Sequence, residues 1–372
     1  MVQSVFQFQK LKFLVLPIIS VLAGLVSGQT ASAWGGHGHD SICQAAVHLV
    51  KNEELKSFLK YRAFMVGHLC NIPDTAWRDL PKEVAAIGAP THYIDPELLG
   101  LPIPQIPLNF ATIIRDYTGK PSAYKPSETI KSIPDEFGSV WWRADQFVKK
   151  IGALKSVYQN LTVPMEKKDQ QDPKNPYNQA TFEMLTAMGL MGHYVGDVGQ
   201  PYHNTADYDG YDAHHGGLHS YYEEVVVAEF DEMLIPRIVQ EARGISNPTL
   251  QPGVSTLEKM RYMSQIAAAD IPAVLRADPM IQESTSREEL GMLIRTPAER
   301  QPAQVGLQKF NALITKQMGR SAQLLANLWD QAYVDAGKPN LTVYKWFKFP
   351  HTPDFVVPDY VPAVTTAQKK LK

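Results

Sequence analysis

Cysteine is nearly absent from this 372-residue chain: only Cys43 and Cys70 occur. No C-x-x-C pair is present, which argues against zinc or redox chemistry through sulfur. An excess of charge is missing too. Lys and Arg number 36 against 38 Asp and Glu, for a net charge of −2. The chain therefore carries neither the basic footprint of a duplex-DNA binder nor a polyacidic tail. Convincing alternating strands are scarce, and no internal repeat or low-complexity run is found. Beyond the first 33 residues no apolar run approaches membrane-spanning length.

The first 33 residues read as a leader. Lys10 and Lys12 flank an apolar core, FLVLPIISVLAGLV (Phe13 to Val26), and Ala31-Ser32-Ala33 gives an A-x-A cleavage pattern. Cleavage after Ala33 is expected, leaving a chain that starts at Trp34. Loss of the two lysines would lower its net charge from −2 to −4. The expected location is secreted or periplasmic, where Cys43 and Cys70 could pair or remain buried thiols.

The remaining pattern is helical. Apolar residues recur at helical spacing over Ser41 to Leu59, Thr181 to Val198, Tyr221 to Ala242, Ser255 to Ala268 and Val305 to Ala336. Gly337 and Pro339 stop the last of these. Asp95 to Pro134, rich in proline and aromatics, reads as an irregular loop with short helical pieces. The expected organisation is a cleaved leader (1–33), a mainly α single domain with long loops (34–338) and a tail packing on it (339–372), its lysine-rich end frayed. Asn160 and Asn340 stand in glycosylation sequons.

The chemistry concentrates in HYVGDVGQPYH, residues 193 to 203. His193 and Asp197 lie four residues apart, about 6 Å along a helix and on one face. Pro201 ends the helix and lets His203 turn back. HSYYE then places His219 and Glu223 four apart. Two such pairs, with a further histidine after the proline, suit zinc or another borderline metal better than chance surface pairs. His48, His68 and His351 lack partners at metal spacing, His214 and His215 read as solvated residues of a Gly-rich loop with Asp207, Asp209 and Asp212, and His37 reads as a neighbour at the rim.

With the Trp-x4-His that begins at Trp34, these motifs resemble the secreted bacterial zinc-dependent phospholipases C, which share their fold with zinc-dependent single-strand nucleases. The resemblance covers the N-terminal helix, the segment from Asp74 to Asp95, residues 180 to 225 and the last long helix. It implies three zinc ions. One would be held by Asp74, His92, His193 and Asp197, with Asp79 the rival to Asp74. A second would be held by the Trp34 α-amine and carbonyl, His39 and a bridging Asp197. The third would be held by His203, His219 and Glu223. It further implies hydrolysis of a phosphate diester by metal-bound hydroxide, with Asp74 a possible general base and Tyr93 and Asp95 facing substrate.

The substrate divides the readings. Fifteen residues separate His203 from His219, and the last ligand is a glutamate, both as in the phospholipases. Against this, His37, Thr75 and Ala89 replace the residues with which those enzymes recognise choline. The expectation is a phospholipase C-type diesterase acting on phospholipid, with peripheral membrane contact and no obligate protein partner. A single-strand nuclease and 3′-nucleotidase is the alternative, and a zinc-binding protein without catalysis a third. Trp141 and Trp142, beside Arg143, could stack on bases or dip into lipid, with at least one in the core.

Overall fold

In the computed structural model, the described residues are 34–361, all within one compact unit. The expected leader and the lysine-rich end lie outside them.

A helix that is apolar on every side must be buried on every side, and Pro176–Gly199 comes close to this from Met184 onward, after the exposed Gln179 and Glu183. From Met184 to Gly199 only Thr186 is less than fully buried. Asn175 caps its start by accepting a hydrogen bond from the Tyr177 amide (2.9 Å). Around this axis pack Gly35–Leu49, Ala63–Asn71, Val140–Gln159, Thr256–Ala268 and the 33-residue Ala303–Asp335. The fold is mainly α. Its strands are short antiparallel pairs, Met280–Gln282 with Glu299–Arg300 and Thr285–Glu289 with Met292–Thr296. Among the described residues no helix is long and apolar enough to cross a membrane.

Two of the expected helices are interrupted. Ser41 to Leu59 divides at Val50–Asn52 into Gly35–Leu49 and Glu53–Lys60. The cause is partly tertiary: Asp330 of the last helix accepts the amides of Lys51 and Asn52, at 2.8 and 2.9 Å, while the Asn52 side chain caps the second helix. Tyr221 to Ala242 also breaks. A π-helical turn over Tyr221–Val225 and a 3₁₀ turn over Val227–Glu229 precede the regular helix Leu234–Gly244. Wide turns of this kind commonly occur at functional sites.

Cys43 and Cys70 form a disulfide, resolving the choice left open by the sequence. It joins the first helix to Ala63–Asn71 and lies directly on the central helix. A Cβ on Gly192 would fall 2.3 Å from one sulfur and 2.5 Å from the other, so that position has room only for glycine. Trp141 and Trp142 are both core residues, their indole N–H groups satisfied by Ser264 Oγ (2.5 Å) and the Leu108 carbonyl (2.8 Å).

Candidate metal centre

The buried end of the central helix presents His193 and Asp197 on one face, as their four-residue spacing requires. His193 Nε2 is 3.3 Å from Asp197 Oδ2. His193 Nδ1 donates to the Cys70 carbonyl at 2.7 Å, which leaves Nε2 as the lone-pair nitrogen facing the carboxylate. The disulfide thus does more than tie two helices together: it fixes the carbonyl that orients this imidazole.

Three further elements converge there. His92 Nδ1 sits 2.9 Å from His193 Nε2 and 3.1 Å from Asp197 Oδ2. Asp74, in the turn after Ala63–Asn71, brings Oδ1 to 3.7 Å from both His92 Nδ1 and His193 Nε2. His39, on the first helix, stacks on His193 with ring centroids 4.1 Å apart, and its Nε2 is 3.3 Å from Asp197 Oδ1. His39 can approach this closely because residue 196 is glycine, where a Cβ would lie 2.8 Å from His39 Nδ1.

A neighbouring group forms beyond the helix end. Pro201–Asn204 is a 3₁₀ turn that reverses the chain, and His203 Nδ1 donates to the His92 carbonyl at 2.7 Å. His219 Nε2 lies 2.9 Å and His203 Nε2 3.8 Å from Glu223 Oε2. Three groups of side chains could therefore hold metal ions: His39, His193 and Asp197; Asp74, His92 and His193; and His203, His219 and Glu223.

Burial sets the protonation states. His39, His92 and His193 are held well below 6.5 by loss of solvent, reinforced for His39 and His92 by the neighbouring His193. All three are therefore neutral imidazoles, the form that binds metal. Burial pushes Asp197 well above the usual carboxylate range, and Asp74 and Glu223 add to the shift. At Glu223 burial opposes ionisation, but His219 and His203 overcome it and hold the carboxyl at about 2. His219 is raised in turn, because Glu223 outweighs the burial that disfavours its charge.

Trp34 is fully buried, with its indole N–H donating to the Gly196 carbonyl at 2.8 Å. Its main-chain nitrogen lies 3.2 Å from Glu223 Oε2, and its carbonyl accepts the Gly38 amide at 3.0 Å as the helix begins. Tyr93 and Asp95 stand beside the clusters. The Tyr93 hydroxyl donates to the Asp135 carbonyl at 2.5 Å. Burial, with Glu97 nearby, raises the Asp95 carboxyl well above its ordinary value. Asp79 is exposed, and among the described residues it joins none of these groups.

Two polar partners escaped the sequence reading. Arg78 Nη2 lies 2.8 Å from Asp74 Oδ1, a pairing that the i, i+4 spacing in DTAWR could have signalled. Gln200 Nε2 donates to Glu223 Oε2 at 2.8 Å, and no local pattern announces that contact across 23 residues. Main-chain hydrogen bonds hold the residues that follow His92. Ile94 N donates to the His203 carbonyl (2.9 Å), and Asp95 N to that of Phe137 (2.8 Å). At Gly138, with φ 83°, a Cβ would meet the Tyr93 carbonyl at 2.1 Å.

No family model matches the chain, and a search of curated proteins finds no match to it. Its function has to be argued from this constellation.

Proposed function

We propose that the chain is an exported zinc-dependent phosphoric diester hydrolase of phospholipase C type, holding three zinc ions. The observation that carries this reading is a buried cluster of four ligand atoms, Asp74 Oδ1, His92 Nδ1, His193 Nε2 and Asp197 Oδ2. Five of the distances among them measure 3.7, 3.7, 2.9, 3.1 and 3.3 Å. Tetrahedral ligation at ~2.0–2.1 Å, the usual zinc distance to nitrogen and oxygen, calls for edges of about 3.3 Å. Structural zinc sites favour cysteine, whereas this donor set is all nitrogen and oxygen.

Orphaned polar atoms support the same reading. His39 Nε2 and Asp197 Oδ1 are buried 3.3 Å apart without a hydrogen bond, and Glu223 Oε1 is buried without one. Leaving such groups unsatisfied is costly unless something else binds them. Asp197 turns Oδ2 toward His92 and His193 and Oδ1 toward His39, as a carboxylate bridging two ions does. A free α-amine at Trp34 would complete the His39 group, and His203, His219 and Glu223 would hold the third ion.

Three divalent ions against the carboxylates Asp74, Asp197 and Glu223 leave an excess of positive charge, which suits a phosphate ester. Zinc ions so placed supply Lewis acidity and a nucleophile drawn from water near neutral pH. The chain's own groups do the positioning. His193 and His203 are locked in one tautomer by the Cys70 and His92 carbonyls. Arg78 occupies Asp74 Oδ1, so a general-base role for Asp74 falls to Oδ2. The disulfide fits an oxidising compartment.

Phospholipid is preferred over nucleic acid on the fifteen residues between His203 and His219 and on Glu223 as the last ligand, both as in the phospholipases that the motifs resemble. The test is parallel assay of zinc-loaded protein on phospholipid vesicles and single-stranded DNA. Hydrolysis of DNA alone overturns the lipid reading in favour of the nuclease. Inactivity on both with metal bound favours a different ester or a non-catalytic protein.

A further inference from the structure

Large apolar side chains on a soluble surface are informative when they cluster. Tyr61 and Phe64 are 84% and 76% exposed, and Phe347 and Phe349 are 54% and 46% exposed. These two pairs lie on adjoining chain segments. Residues 344–351 run alongside the start of Ala63–Asn71: Arg62 Nη2 donates to the Tyr344 carbonyl (3.2 Å), and His68 Nε2 to that of His351 (2.8 Å). Phe349 packs edge-on to His68, one helical turn beyond Phe64, with ring centroids 5.5 Å apart.

Charge interleaves with the rings. Lys60 adjoins Tyr61, and Lys345 and Lys348 alternate with the aromatics of KWFKF; all three lysines are exposed. Glu54 is turned inward, accepting the Leu341 amide at 2.6 Å, and Glu53 is paired with Lys56 at 3.6 Å. Trp346 faces the body, its ring 4.9 Å from that of Phe182, and so anchors the segment that carries the exposed phenylalanines.

We infer that this patch is a docking surface for an anionic lipid bilayer, a step that rests on the lipid reading of the metal centre. Aromatic rings that enter the interface, beaded with lysines that face headgroups, are the composition of a peripheral anchor. A single-strand nucleic-acid platform instead sets its rings along an electropositive groove, whereas Tyr61 and Phe64 project from a surface turn and the start of the helix that follows it. Ala63–Asn71 leads directly into the turn carrying Asp74. Phe64 and Asp74 are thus ten positions apart in the chain, and the helical part from Phe64 to Asn71 spans about 10 Å.

The test uses zinc-loaded protein and three readouts: cosedimentation with vesicles of phosphatidylglycerol and phosphatidylcholine, binding to single-stranded DNA, and hydrolysis of the soluble diester bis(p-nitrophenyl) phosphate. A Tyr61→Ser/Phe64→Ser/Phe347→Ser protein is expected to lose vesicle affinity by roughly tenfold or more while hydrolysing the soluble ester like the wild type. Lys345→Glu/Lys348→Glu is expected to lose binding to the anionic vesicles and keep the residual binding to phosphatidylcholine alone. The inference is overturned if wild-type protein does not bind the vesicles, if both variants bind as well as it does, or if the variants lose DNA binding and retain lipid. Vesicle binding that the variants abolish, in a protein inactive on every phosphate ester, would sink the catalytic reading and leave the docking surface standing.

Discussion

Gly196→Ala tests whether His39 is a metal ligand held in place by the central helix. The new Cβ would lie 2.8 Å from His39 Nδ1 and 2.9 Å from Cε1. Comfortable contact between such atoms is ~3.5–4.0 Å, so the ring must retreat by about 0.7 Å. It has little room to do so. The ring also stacks on that of His193 at 4.1 Å, and the Gly196 carbonyl is fixed by the Trp34 indole at 2.8 Å. Overpacking of this kind costs ~1–3 kcal/mol, and the better helix propensity of alanine returns about 1. The metal-free protein should therefore melt only a few degrees lower. Function should suffer more, because ligand sets tolerate displacements of only ~0.5 Å. The expected result is one metal ion fewer by elemental analysis and about 100-fold lower activity. Gly152→Ala is the control: its Cβ meets Asp335 Cβ at an ordinary 3.4 Å, so stability should hold or rise and metal content stay unchanged. If Gly196→Ala keeps its full metal complement and activity, His39 is not held as argued.

Three other outcomes are expected. Removing the disulfide by Cys43→Ala/Cys70→Ala opens a link between residues 27 apart and should cost roughly 3–4 kcal/mol in urea unfolding; an unchanged midpoint would refute its structural role. Burial holds His39, His92 and His193 neutral, so zinc uptake should take no protons from these three, whereas the raised groups His219 and Asp197 bind metal more readily as they lose theirs. Zinc titration at a series of pH values reads this directly. Affinity should rise with pH as His219 and Asp197 lose their protons, and an affinity independent of pH would refute the raised values of both. A chain beginning at Trp34 should bind one more zinc than a chain with residues before it, whereas His37→Ala, at an exposed position, should keep every ion; equal metal content in the two chains would remove Trp34 as a ligand.

Much of this protein is legible locally. A helix carries its ligands at a fixed spacing, so HYVGD and HSYYE announce two converging pairs before any fold is known, and Pro201 announces the reversal that returns His203. The long apolar run from Thr181 to Val198 announces a largely buried helix for the same reason. What the sequence could not decide depends on groups far apart along the chain. Asp74 and Asp79 are equivalent in the string, and only the packing of Ala63–Asn71 against the central helix buries one and leaves the other in water. Helix geometry put at least one of Trp141 and Trp142 in the core, and only the Ser264 and Leu108 acceptors show that both are there. The break at Val50–Asn52 draws on a carboxylate nearly 280 residues away. Periodicity is a property of neighbours and survives in the sequence; burial, tautomer and ligand distance are properties of the closed fold, and tertiary contact alone sets them.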